Sequence, residues 1–465
     1  MPSEVPGELI CLTDDDADLS IHEKLYKRVR ALIVSGALAK GTRFASSRTL
    51  ALHLGVSRNS VLKAIDRLIA DGWLEARRGS GVYVRYASRK LPASRRAVDG
   101  AVRSRPFALG TKPLDLFPYQ IWNRLQSRRW KHIAEFEPAK SQPLGVANLR
   151  EAIAAHSALM RGFDYEPDQV VITTSVPVAV DLAARALGLS HCRAWVEDPG
   201  YPGATSALNR RNIELVPVAV DASGIDVEDG IRRAPDARFA YVTPACQFPT
   251  CAVLSPARRR ALIGWAHASG RWILEDDYDW QSCPQSERLP PLAMEDRTNT
   301  IYINSLNPLL FPALRVAYLI CPASLVDRFS AASSALEESS NVLHQVVLAD
   351  FIEAGYLGDH IARLAAAYTE RRETIYKALA RELPGTVETQ ILQRGTHVPA
   401  SLCTHDEREF AARCASENIT INGAREYCFS KPARNAILLG YSGFSPPIID
   451  KGVRAIARAI RANLQ

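Results

Sequence analysis

The chain has 465 residues, 47% hydrophobic and 23% charged, with a net charge of +7; this is globular material for two or three domains. No apolar run approaches the roughly 20 residues that span a bilayer, and residues 1–20 carry six acids and no base, the reverse of a secretory leader. Nine cysteines, an odd number at spacings that suit neither a zinc site nor a disulfide framework, point to a reduced, cytoplasmic chain without metal ligands.

Residues 1–19 read as an acidic, flexible tail. Residues 21–90 then carry 15 Lys/Arg against 4 Asp/Glu, an excess of +11; residues 91–105 add +3, and residues 106–465 sum to −1. A short basic block on a neutral body is the charge pattern of a nucleic-acid-binding module. IHEKLYKRVRALIVSG (21–36) puts Leu25, Val29, Leu32 and Ile33 on one helical face and closes on Gly36. After AKGTRFA, Ser46-Ser47 cap a second helix that ends at Gly55. Ser57 caps a third, SRNSVLKAIDRLIADG, with Val61, Ile65 and Leu68 facing inward. Two helices about a Gly-containing turn are the helix-turn-helix signature. The last helix offers Arg58, Asn59, Ser60 and Lys63 near its N-terminus, where a recognition helix meets base edges. WLEARRGSGVYV (73–84) reads as two short strands about Arg77-Arg78-Gly79-Ser80-Gly81, a basic wing. Residues 20–86 resemble the winged helix-turn-helix of GntR-type transcription regulators. That resemblance implies DNA contacts from Arg48 and Arg58, with Gly81 at the wing tip.

Residues 87–112 lack hydrophobic periodicity and are rich in Arg, Ala and Ser, which predicts a cationic linker or passive tether. From residue 113 the pattern changes. β-rich runs (QVVITT, RAWVED, ELVPVAV, FAYVTPA, RWILEDDY, NTIYIN, RVAYLICP) alternate with helical segments such as VAVDLAARALGL and SPARRRALIGWAHASG. This predicts a three-layer, mostly parallel sheet whose ligands sit at the carboxyl ends of strands.

The segments after those strands carry a second resemblance. WVEDPGYPGA (195–204), YVTPACQFPT (241–250), ILEDDYDWQ (273–281) and LFPALRVAYLICP (310–322) stand in the order found in MocR regulators. In that GntR subfamily a winged helix is fused to a fold-type I aminotransferase body. LFPYQIWNRL (116–125) and NLREAIAAH (148–156) fit its opening segments. The resemblance implies a large subdomain over about 140–340 and a smaller C-terminal α/β subdomain over about 341–465. It also implies a domain-swapped homodimer, the winged helix of one chain over the body of the other, and a pyridoxal phosphate pocket. In that pocket Tyr201 would stack on the ring, Asp276 would pair with its nitrogen, Tyr278 would lie near its hydroxyl, and Ser305 and Arg315 would hold phosphate. Asp277 and Asp279 are expected to face solvent or to cap.

The departures are as informative. Aligned on Leu310, Phe311, Pro312 and Arg315, the stretch INSLNPLLFPALR (303–315) places Asn307-Pro308 where the family has Ser-Lys. Proline has no amine and cannot hold an aldehyde covalently. No lysine occurs between Ser141 and Tyr376, the interval of all four motifs. The family's Ser-Gly-Ala-Gln phosphate cup reads Thr174-Ser175-Val176-Pro177, so Thr174 and Ser175 are its remaining candidates. Leu438 falls where aminotransferases carry a carboxylate-binding arginine, and Cys246 and Cys251 replace a His and a Gly. The expectation is therefore a DNA-binding regulator with no catalytic residues. Its body would serve dimerisation and non-covalent sensing of pyridoxal or pyridoxamine phosphate, of another small molecule, or of no ligand. The competing reading is a pyridoxal-phosphate-dependent enzyme with an attached DNA-binding domain.

Overall fold

A computed structural model describes residues 10, 19–77, 79–85, 105–132, 142–283, 287–310, 312–336, 341–403, 406–429 and 435–461. The acidic tail apart from Ile10 and Leu19, Arg78, linker residues 87–104 and Phe311 lie outside the described residues. The chain forms two compact units, Met1–Arg103 and Ser104–Gln465.

In the first unit three helices, Ile21–Val34, Ser47–Leu54 and Arg58–Ala70, precede a two-stranded antiparallel ribbon, Leu74–Arg77 and Gly81–Val84. Helical periodicity decides which side chains meet: Leu25, Val29, Leu32 and Ile33 of the first helix pack with Val61, Ala64, Ile65 and Leu68 of the third. Each boundary has a local cause. Ser46 and Ser57 accept from the backbone N–H of Thr49 and Ser60 at 3.2 and 3.1 Å, satisfying donors that a helix start leaves open. Gly55, at φ +63°, ends the second helix in a left-handed turn.

The second unit is built on an eight-stranded sheet. Its order is Val170–Thr173, Ala317–Ile320, Thr300–Ser305, Trp272–Asp276, Phe239–Val242, Arg193–Asp198, Glu214–Asp221, Gly224–Ile225. The middle strands pair in parallel, while Ala317–Ile320 runs antiparallel to both neighbours. Buried runs such as VVIT and FAYV have apolar neighbours on both faces, which is why they read as continuous hydrophobic stretches. Helix Val176–Ala186 packs on one face; Trp265 of helix Pro256–Ala268 stacks on Trp195 at 3.9 Å on the other. A smaller antiparallel sheet follows, in the order Val387–Thr389, His397–Leu402, Ala436–Gly440, Asn422–Gly423, covered by helices including Tyr356–Glu382 and Pro446–Arg461.

The expected linker gives way to folded chain before its end. Residues 105–112 belong to the second unit, where Phe107 is fully buried and bridges to Gly440. Polar, irregular sequence concealed this docking because one aromatic anchor sets no period.

Candidate functional site

The first unit presents its polar side chains where the sequence places them. Arg48, Ser57, Arg58, Asn59 and Lys63 are exposed and Ser60 is half-buried. Arg58 Nε donates to Ser47 Oγ at 3.4 Å, tying the start of the third helix to the second. Arg77 is exposed but engaged: it pairs with Glu75 at 2.6 Å and lies over the Tyr83 ring at 4.4 Å. Gly81, at φ +107°, turns the ribbon where an L side chain would be strained.

In the second unit, the carboxyl ends of five strands of the large sheet converge on one cavity of about 480 Å³. Ser175, Tyr201, Asp276, Tyr278 and Ser305 all line it, as does Pro308. Asp276 is buried and accepts from the Tyr241 hydroxyl at 2.5 Å. Burial pushes its carboxyl up to about 7. Tyr201 starts helix Pro202–Asn209, and a Cβ on Gly203 would lie 2.4 Å from its ring, so the glycine leaves the ring its place. Tyr278 shares a hydrogen bond of 2.9 Å with Thr396, and burial raises its hydroxyl well above the ordinary value. Ser175 caps helix Val176–Ala186 with no side-chain bond of its own, and Pro177 removes one N–H from that first turn. Thr174 contributes its carbonyl, which accepts from Asn307 Nδ2 at 3.3 Å.

Asn307 also accepts from the Val316 N–H at 2.8 Å, while its own N–H donates to Ser305 Oγ at 3.2 Å. The loop around Pro308 is thus stitched by an amide. Arg315 is exposed, at φ +50°, and is not among the lining residues. Leu438 is buried in its strand, away from the cavity lining.

The expectation that the two neighbouring acids face solvent or cap is corrected for Asp277, while Asp279 takes a cap position in a buried setting. Asp277 is 1% exposed and neither faces solvent nor caps: Arg161 pairs with it at 2.7 Å and Tyr302 donates to it at 2.8 Å. Asp279 is buried too; it stands at the start of a short turn, Trp280–Ser282, and accepts from Ser282 Oγ at 3.0 Å. Strand alternation gives sidedness but not depth, and here both sides of the strand end are covered.

Among the lining residues that escaped the sequence reading, three bear on the chemistry. Phe248 stands edge-on to Tyr201, Tyr278 and Tyr427, at 6.1, 6.1 and 5.1 Å, and Tyr427 lines the same cavity. Phe248 lies in the quoted YVTPACQFPT motif; Tyr427 lies far along the chain and gave no signal. The third is Lys112, from the docked end of the linker. It is the one cation among the described residues that line the cavity, and burial holds its ammonium below the ordinary lysine value. Cys246 and Cys251 are buried free thiols, Cys251 Sγ being 3.7 Å from His397 Nε2. Among the described residues no group of three or more His, Cys, Asp or Glu is placed to hold a metal, and no helix is long and apolar enough to cross a membrane.

These residues suit a pyridoxal-type ligand. A buried carboxylate held by a single hydroxyl can take a ring-nitrogen cation, Tyr201 offers an aromatic face, and two serines with a helix N-terminus can take an anion.

Comparison with known proteins agrees with both units. Residues 21–84 match the family of bacterial regulatory proteins of the gntR type, and residues 137–434 match aminotransferase class I and II. The probable rhizopine catabolism regulatory protein MocR of Rhizobium meliloti is 30% identical, over 97% of this chain and 95% of its own. The HTH-type regulator TauR of Rhodobacter capsulatus is 31% identical over 95% and 97%. The pyridoxine biosynthesis transcriptional regulator PdxR of Corynebacterium glutamicum is 28% identical over 91% and 92%. Among solved structures, an archaeal alanine:glyoxylate aminotransferase superposes with a TM-score of 0.69 at 22% identity, covering 78% of this chain and 92% of its own. The α-aminoadipate aminotransferase LysN of Thermus thermophilus gives the same score at 23%, over 78% and 93%, which shows the fold of the body. The chain therefore belongs to the MocR-type members of the GntR family: it is a DNA-binding transcription regulator whose body is an aminotransferase-like domain.

Proposed function

We infer that the body has given up transamination and serves as the effector-sensing and dimerisation part of the regulator. The observation that carries this is Pro308, a residue without an amine, in the cavity wall where the family's lysine would stand. Pyridoxal phosphate, when bound in such a pocket, supplies an electron-withdrawing ring and an aldehyde. The chain's own residues would bind and orient it: Asp276 would pair with the ring nitrogen, Tyr201 would cover a ring face, and Ser175, Ser305 and the helix N-terminus would receive the anionic arm. One relative is named for pyridoxine biosynthesis, which supports a B6 vitamer as the small molecule. The amine form, pyridoxamine phosphate, needs no covalent bond and suits the cavity without an amine at 308.

On the DNA side, Arg48, Arg58, Asn59 and Lys63 form the reading surface, with Ser57 and Ser60 at the helix start and Arg77 and Gly81 along the wing. A dimer would present two such surfaces to two half-sites. Footprinting on the DNA upstream of the chain's own gene tests this, with Arg58→Ala expected to weaken protection. Titration calorimetry with pyridoxamine phosphate tests the cavity. Absence of binding by both pyridoxamine phosphate and pyridoxal phosphate would remove the effector reading, and turnover of any amino acid by the protein would remove the claim of inactivity.

A further inference from the structure

Lys112 is an amine in a cavity that has lost its lysine, and its placement is firm. Thr420 N–H donates to the Pro106 carbonyl at 3.1 Å and Gly440 N–H to that of Phe107 at 3.0 Å. Thr111 Oγ1 donates to the Ala108 carbonyl at 2.9 Å, and Ser442 Oγ to that of Thr111 at 3.3 Å. Leu114 N–H closes the segment on the Lys112 carbonyl at 2.9 Å. A Cβ on Gly443 would lie 2.4 Å from Thr111, so the backbone is pressed against the small sheet's end. A held backbone leaves only the flexible side chain of Lys112 to explore the cavity.

We propose that Lys112 replaces the family's lysine from a different part of the chain and joins covalently to a small aromatic aldehyde seated against Tyr201 and Asp276. This rests on the reading of the cavity as an effector site. Among the described residues the Lys112 ammonium forms no hydrogen bond or ion pair, although Asp279 lies near enough to favour its charge. Burial acts the other way and outweighs it, favouring the neutral amine, which is the nucleophilic form. The step balances without an oxidant. The neutral Nζ adds to the carbonyl carbon, both amine hydrogens leave with the carbonyl oxygen as water, and a carbon–nitrogen double bond replaces the carbon–oxygen one. Ionic neutralisation of Asp279 is the plainer role for such a lysine, and an arginine would serve that role equally well.

The full chain is incubated with pyridoxal phosphate, reduced with borohydride, digested and examined by mass spectrometry. We expect one modified site, the peptide carrying Lys112, and its loss in Lys112→Arg, which keeps the positive charge. An unmodified Lys112 peptide, or label spread over surface lysines equally in both proteins, overturns the proposal. Calorimetry with pyridoxamine phosphate, which has no aldehyde, separates the two readings. Binding of that amine with Lys112 unmodified overturns the covalent bond alone; binding of neither ligand overturns the effector cavity and the bond with it.

Discussion

Asp276→Asn should make the unliganded protein more stable and the cavity a poorer binder. Burial lifts the Asp276 carboxyl from 3.8 to about 7. An acid whose folded value is raised holds its proton more tightly when folded, so its penalty is absent below about 4. The penalty grows as pH rises and levels off above about 7. At 1.36 kcal/mol per unit, it amounts to about 2 kcal/mol at pH 5 and about 4 kcal/mol at pH 8. Asparagine escapes this, and its carbonyl can still accept from Tyr241. Chemical unfolding at the two pH values should therefore show the variant gaining about 3 kcal/mol on the wild type between pH 5 and pH 8, the difference of those penalties before rounding. The buried Asp279, lifted to about 7 by burial, contributes pH dependence common to both proteins and drops out of the difference, whereas Glu197, whose charge helps to raise Asp276, is relieved of a like charge in the variant and adds to its gain at high pH. The same variant should bind pyridoxamine phosphate on the order of ten- to a hundredfold more weakly, since a hydrogen bond to a charged group is worth about 1.5–3 kcal/mol. A variant that follows the wild type at both pH values, or is less stable at pH 8, refutes the argument.

Other substitutions probe the supports of the site. Arg161→Ala strands Asp277 without its cation in a buried setting, and should cost about 3–5 kcal/mol in denaturant unfolding; a loss under about 1 kcal/mol would show that Tyr302 suffices. Gly203→Ala should leave the melting temperature nearly unchanged but displace the Tyr201 ring, lowering the calorimetric affinity for pyridoxamine phosphate. Ser57→Ala removes the cap of the recognition helix and should destabilise the first unit by about 1 kcal/mol, read by circular dichroism of the full chain. If DNA affinity falls with that helix unmoved, Ser57 acts through a direct contact instead.

The first unit was almost wholly legible. Its helices are short and amphipathic, so Leu25, Val29, Leu32 and Ile33 announce a face by spacing, and Ser57 and Gly55 announce ends by chemistry. The parallel sheet of the body was legible for a different reason: strands buried on both faces are uniformly apolar, and the loops after them are where a ligand must sit. That rule brought Ser175, Tyr201, Asp276, Tyr278 and Ser305 together correctly. It failed for Asp277, because a polar residue beside a site looks the same whether it meets solvent or a buried arginine. Arg315, assigned by resemblance rather than by that rule, precedes its strand and stands exposed at φ +50°, outside the cavity lining.

Lys112 shows the deeper limit. A search for a substitute amine between Ser141 and Tyr376 is a search along the chain, whereas a cavity is a neighbourhood in space. The parts that deliver Lys112 lie on both sides of that interval: Phe107 before it, and Thr420, Gly440 and Ser442 after it. Each of those contacts is a single hydrogen bond or a close approach, with no periodicity to betray it. Proline at 308 therefore excludes an amine at one position of the wall, not from the cavity, and the chemistry left to the body turns on a residue that reads in sequence as the end of a tether.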